Sequence, residues 1–131
     1  MQKQVVNPWT WQDEFGFVQA TKTTSAERVL YCSGQTSSDE HGLPLHEGQM
    51  QEQALQALDN LETLLRDAEF ELADVVRLNV YVTDIDAWRQ AVPAIMARLA
   101  HTGASYACTL LGVARLGLPQ LLVEIEATAA K

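Results

Sequence analysis

Cysteine, positive charge and long apolar runs are all scarce in this chain, and each scarcity excludes a class of protein. Only two cysteines occur, Cys32 and Cys108, 76 positions apart. That separation is neither the C-x-x-C of a metal or redox site nor the dense framework of a small secreted domain, so both read as reduced thiols. Lys and Arg number 9 against 17 Asp and Glu, a formal net charge of −8. A duplex is bound chiefly by neutralising its phosphates with clustered basic residues, and no such cluster exists here. Nucleic acid is therefore not an expected partner. No stretch approaches the ~18 to 20 uninterrupted apolar residues of a membrane span, and the opening MQKQVVNPWTWQDE lacks the apolar centre of a signal peptide. The expectation is a soluble, cytoplasmic protein without membrane contact.

What is present is ordinary globular material: 131 residues, 47% apolar and 20% charged. That length buries enough surface to fold without a metal or disulfide staple. No repeat, low-complexity segment or linker divides it, so residues 1–131 read as a single domain. The densest turn signal is Ser37-Ser38-Asp39-Glu40-His41-Gly42-Leu43-Pro44. Before it, Phe15 to Thr23 and Arg28 to Ser33 read as strands, with Ser25-Ala26-Glu27 joining them as a hairpin. After it, Met50, Ala54, Ala57, Leu58, Leu61, Leu64, Leu65 and Ala68 repeat at spacings of three and four, the signature of a helix with one buried face.

Ala73 to Val82 switches to period two, with Val76, Leu78, Val80 and Val82 on one face and Val75, Arg77, Asn79 and Tyr81 on the other. A second helical stripe, Trp88, Val92, Ile95, Met96 and Leu99, is interrupted by Pro93, where a break or a helix start is expected. Tyr106 to Val113 and Leu121 to Thr128 complete the chain as strands. The order β-β-α-β-α-β-β implies an α+β fold, a mixed sheet with both helices on one face. Leu110 or Leu111, Leu122, Val75 and Tyr81 would then point to the uncovered face, too much apolar surface for a monomer to expose, which predicts self-association. Glu124 and Glu126 share one face of the last strand, and Arg77 can answer one of them across the sheet. A structural ion pair and a carboxylate poised to orient water both fit that placement.

Six fragments in order carry a family resemblance: Tyr31-Cys32-Ser33-Gly34-Gln35 with Asp39 and Gly42, Gln53 to Asn60, Asp74 to Leu78, Thr83-Asp84, Gly112 to Leu116, and Val123 to Ala129. Together, from about Phe15 to Ala129, the chain resembles the RidA family, also called YjgF or the reactive intermediate deaminases. The resemblance implies a chorismate-mutase-like fold and a homotrimer with a barrel-like core and three clefts between subunits. It also implies a reaction without cofactor or metal: hydrolysis of 2-aminoacrylate and related enamines and imines to 2-keto acids and ammonia. Some members carry the label endoribonuclease, and the −8 balance makes that the less favoured alternative here.

Residue by residue, the resemblance assigns Ser33 and Gly34 to the cleft through the Ser-Gly-Gln motif, and Glu124 as the last-strand glutamate that orients water. The first-strand aromatic, a tyrosine in well-studied deaminases, is Phe17. The arginine that holds the substrate carboxylate is missing. Counting back seven residues from Arg115 lands on Cys108, within Tyr106-Ala107-Cys108-Thr109 where deaminases carry Pro-Ala-Arg-Ser. A thiol cannot grip a carboxylate as a guanidinium does, a loss on the order of 2 to 5 kcal/mol when the charge stays buried and unpaired. A substrate other than 2-aminoacrylate is therefore expected.

For Cys108 itself three roles compete: a small buried side chain, part of an apolar wall with Phe17, or a nucleophile that would need a neighbouring cation or histidine. Arg115 and Arg28 could replace the missing guanidinium by reaching into the cleft from elsewhere, although a surface or interface contact is the commoner role for either. Trp9, Trp11 and Trp88 read as packing residues, and His41, His46 and His101 as solvated loop residues. Two functions stay open: an enamine or imine deaminase, and a trimer that binds a small molecule or partner in the same clefts without turnover.

Overall fold

In the computed structural model, which describes residues 1–131, nine regular elements follow one another: β1 (Gln2–Val6), β2 (Ala20–Thr24), β3 (Val29–Tyr31), β4 (Gln35–Thr36), α1 (Met50–Asp67), β5 (Val75–Val82), α2 (Ile85–Leu99), β6 (Ala107–Gly112) and β7 (Val123–Ala130). The architecture is α+β, with two helices packed on one face of a mixed sheet. β7 is its organising strand. It pairs antiparallel with β3, β4 and β5, while β5 pairs parallel with β6 through the α2 crossover.

The alternation along β7 explains this position. Val123, Ile125, Ala127 and Ala129 are all buried against the helices, whereas Glu124, Glu126 and Thr128 point the other way and stay half-buried. On the helix side, Ala54, Ala57, Leu58, Leu61 and Leu65 of α1 are buried as the spacing predicts. Trp88, Ala91 and Ile95 of α2 join the same core. An ion pair between Arg98 and Asp59 at 3.2 Å, with Glu62 as a second partner, links the two helices at the surface.

Four sequence expectations are corrected. The hairpin between the first two strands does not form. β2 instead pairs with β1, a strand the sequence reading missed, in a separate two-stranded ribbon, and β3 joins β7. The ribbon is tied to the start of β5: Lys3 Nζ donates to the Ala73 and Val75 carbonyls at 3.1 and 2.8 Å, and Thr21 Oγ1 to the Val76 carbonyl at 2.8 Å. Second, the strict period of two in β5 fails at its first turnover. The register skips Val76 between Val75 and Arg77, a bulge that swings Val75 into the core, where it is 1% exposed, and leaves Val76 half-buried.

Third, α2 runs through Pro93 without a break, Asp84 capping its start by accepting from the Ala87 N–H at 3.0 Å. The ring removes the hydrogen bond that Arg89 would receive, yet the packed stripe on either side keeps the helix whole. Fourth, the face away from the helices is less apolar than expected. Val75 and Leu122 pack with the core, Leu110 turns toward α2, and Leu111 remains outside at 49% exposure. Val29 and Tyr31, at 50% and 80% exposure, add to that outer face.

Gln53 ties the loops to the core. It is fully buried, its Nε2 donating to the Gln120 carbonyl at 2.8 Å and to His46 at 3.3 Å while its Oε1 accepts from the Leu122 N–H at 2.8 Å. Replacing it by leucine, of similar size, strands two backbone groups, the Gln120 carbonyl and the Leu122 N–H, while the His46 carbonyl keeps the Gln49 N–H. Gln53→Leu is expected to lower the unfolding free energy by about 2 to 3 kcal/mol in urea titration. A loss below about 0.5 kcal/mol would show that water takes over these groups.

Candidate functional site

Between α2 and the sheet lies a cavity of about 250 Å³. Its floor is the inner face of the sheet: Leu78 and Val80 of β5, Cys108 and Leu110 of β6, and Ile125 of β7. Leu78 and Cys108 are register partners in the parallel ladder, which aims both at the helix layer. One wall is the stripe Trp88, Val92, Ile95, Met96 and Leu99 of α2. The roof is the turn Trp11–Phe17, which brings Trp11, Phe15 and Phe17 over the opening.

Several local features hold that turn in place. Gln12 is fully buried, donating from Nε2 to the Trp9 carbonyl at 3.0 Å and accepting from Gln19 Nε2 at 3.0 Å. Trp11 and Phe17 meet edge to face at 6.0 Å. Gly16 adopts φ +79°, and a Cβ there would lie 3.0 Å from Met96 Cγ, so glycine both makes the turn and lets it lie against α2. Val18 donates to the Tyr106 carbonyl at 3.0 Å, joining the roof to the strand that carries Cys108.

Phe17, Tyr106 and Cys108 are thus brought together in one cavity. Ser33, Gly34 and Glu124 are not. Glu124 lies on the outer face of β7, opposite to Ile125, which lines the cavity. Gly34 sits directly against the Glu124 side chain: a Cβ at Gly34 would stand 1.9 Å from its Oε1 and 2.7 Å from its Cγ. Ser33 is exposed beside them. Within one chain the candidate residues therefore form two groups, on opposite faces of the sheet.

The neighbouring Glu126 is held by two donors, the Tyr81 hydroxyl at 2.6 Å and Asn79 Nδ2 at 3.0 Å. These hydrogen bonds keep its carboxyl below the usual carboxylate range and push the Tyr81 hydroxyl up. Arg77 does not pair with either glutamate as expected, but donates to Thr109 Oγ1 across β6 at 2.8 Å. Inside the cavity the thiol of Cys108 and the hydroxyl of Tyr106 are kept neutral. Burial raises the Cys108 thiol to about 11, the Arg77 charge opposing only weakly, and burial likewise raises the Tyr106 hydroxyl. The Arg77 charge does not offset the burial and no histidine lines the cavity, so the thiol stays protonated and the nucleophile role has no structural support.

The proposed substitutes for the missing arginine lie elsewhere. Arg28 rests over the Phe70 ring at 5.6 Å and pairs with Glu69 at 3.5 Å. Arg115 is exposed in the β6–β7 loop and does not line the cavity. The arginine that does line it is Arg89 of α2. Trp88 is buried as expected, whereas Trp9 and Trp11 are largely exposed, Trp11 at 59%. His41, His46 and His101 are exposed in loops. No helix is long and apolar enough to cross a membrane.

This arrangement defines a class: an α+β domain with a roofed apolar cavity on one face of its sheet and a carboxylate cluster on the other. The family described as Endoribonuclease L-PSP matches residues 12–131, and the chain belongs to it. Among solved structures, it is similar over the full length of both chains to YyfB from Yersinia pestis, a protein of unknown function in the conserved Rid family, at 34% identity and a TM-score of 0.87. The Escherichia coli YjgF gene product is 26% identical over 88% of this chain and 87% of its own, with a TM-score of 0.71. RidA from the Antarctic bacterium Psychrobacter sp. is 29% identical over 88% and 89%, with a TM-score of 0.67. No curated protein matches the chain. The Rid and YjgF resemblance is therefore family membership.

Two outcomes follow from the geometry. At pH 8, iodoacetamide should modify Cys108 at least tenfold more slowly in the folded protein than after unfolding in guanidinium, because the folded thiol stays protonated toward pH 11. Peptide mass spectrometry reads this separately from Cys32, and equal rates would contradict the burial. Gly34→Ala should cost about 1 to 2 kcal/mol by overpacking against Glu124, and Glu124→Ala in the same chain should recover at least half of that loss.

Proposed function

We propose that this protein hydrolyses an enamine or imine larger and less polar than 2-aminoacrylate, in clefts between the subunits of a homotrimer. The observation that carries this reading is the apolar cavity that joins Phe17, Tyr106 and Cys108. Family membership supplies the reaction class. The thiol at position 108 and the neutral interior supply the change of substrate, since a small charged imino acid drawn wholly inside would lose its water there without gaining a partner.

In this reaction water adds to the imine carbon, the resulting carbinolamine collapses, ammonia leaves and a carbonyl remains. Phe17 would face the substrate's apolar part. Glu124 would orient or deprotonate the water, and Ser33 with the Gly34 backbone would polarise the nitrogen or the developing charge. Because Glu124 and Gly34 lie across the sheet from the cavity in one chain, they are assigned to a cleft completed by a neighbouring subunit. The exposed Val29, Tyr31 and Leu111 on the same outer face give that assembly an apolar surface to bury.

A second reading has its own support: the phenol and the thiol inside the cavity are both held in their neutral forms, which suits a protein that binds a small molecule without turnover. The two are separated by generating imines in place with an amino acid oxidase and following their loss. Hydrolysis should be faster than in buffer for imines of large apolar amino acids and near background for 2-aminoacrylate, with Cys108→Arg shifting preference toward the latter. If no imine is consumed above background, the binding reading stands. Light scattering of the purified protein should give three times the 14.5 kDa chain mass; a monomer would sink the assembly.

A further inference from the structure

Fifteen of the sixteen residues that line the cavity are apolar in character, and the exception is Arg89. Its position is unusual for a charged residue. Arg89 sits one turn before Val92 and two before Met96, on the same stripe of α2 that faces the cavity, where the helical period calls for an apolar side chain. It is exposed while lining the cavity, which puts it at the mouth rather than in the interior. Unlike Arg28, Arg66, Arg77 and Arg98, it has neither a hydrogen-bond partner nor an ion pair in the chain.

We infer that the cavity takes an amphipathic monocarboxylate, with its apolar body inserted between α2 and the sheet and its carboxylate held at the mouth by Arg89. This rests on the cavity being the ligand site proposed above and adds the ligand's class and direction. The size fits. A cavity of ~150 Å³ lined by aliphatic side chains takes up benzene, so 250 Å³ admits a ring carrying a short chain. Direction follows from where charge can be met. The interior offers only a neutral hydroxyl and a neutral thiol, so an ionised carboxylate placed there would be desolvated without a counter-charge. At the mouth it keeps part of its hydration and gains a two-pronged guanidinium. Trp11 and Phe15, both exposed at the same opening, cover the ligand's middle.

The probes are 3-phenylpropanoate and its uncharged amide, titrated by calorimetry into the 131-residue protein and into Arg89→Gln. Arg89 is exposed on a helix and its replacement preserves the fold, which circular dichroism checks. The carboxylate should bind the unaltered protein at least tenfold tighter than the amide, and Arg89→Gln should bring the two within about twofold while leaving the amide's affinity in place. Arg115→Gln, which changes a free arginine elsewhere, should change neither. Equal binding of acid and amide to the unaltered protein, or a preference that survives Arg89→Gln, would overturn the role of Arg89 while keeping the cavity as the site. Failure of both probes to bind would overturn the cavity as a ligand site as well.

Discussion

The alternation of side chains along β7 is the constraint on which the rest of this structure depends. Because successive residues of a strand point to opposite faces, one run from Val123 to Ala130 sets two surfaces at once. Its valine, isoleucine and alanines supply the floor on which α1 and α2 are laid, and its glutamates create a polar outer surface in which Glu126 is clamped by Tyr81 and Asn79. Since β3, β4 and β5 all pair with this strand, a shift of one residue would turn every one of these arrangements inside out.

The cavity follows from the same layer arrangement. A helix laid on a twisted sheet fills the space beneath it only if the side chains between them are large enough, and at Cys108 the sheet offers a small one. Trp88, Ile95 and Leu110 close the sides without filling the centre. The result is a space that is dry in character, roofed by aromatic residues, and bounded by charge at a single point. Polarity is thereby confined to the two ends of the molecule's chemistry: the guanidinium at the mouth on one face, and the carboxylates on the other.

Much of this was legible in the residues themselves. The leucine and alanine stripe of α1 and the apolar positions of β7 are read correctly because each element keeps its period from end to end. β5 is misread at Val75 because its bulge depends on partners, the β7 register and the Thr21 hydroxyl, that lie far away in sequence. Gln2 to Val6 is short and mostly polar, and only pairing with β2 makes it a strand. Phe17, Tyr106 and Cys108 belong together through the family resemblance, not through spacing. The stripe of α2 announces a buried face but cannot tell a filled interface from a hollow one. The residue that could have revealed the difference is Arg89, a charge on an apolar stripe.

The ribbon of β1 and β2 has a consequence for how the cavity opens. The roof is the stretch between Val6 and Ala20, whose ends are held together as register partners, so it is the closed loop of a hairpin and not a free arm. Cross-linking the two ends removes most of the conformational freedom that a terminal segment of this length would have. Lifting the aromatic roof would leave both strands of the ribbon paired, on a base riveted to β5 by Lys3 and Thr21, but it would break the Val18 N–H bond to the Tyr106 carbonyl that joins the loop to the start of β6. Access to the interior is in this way independent of the ribbon's own pairing and coupled to the sheet at one place, the bridge between Val18 and Ala107.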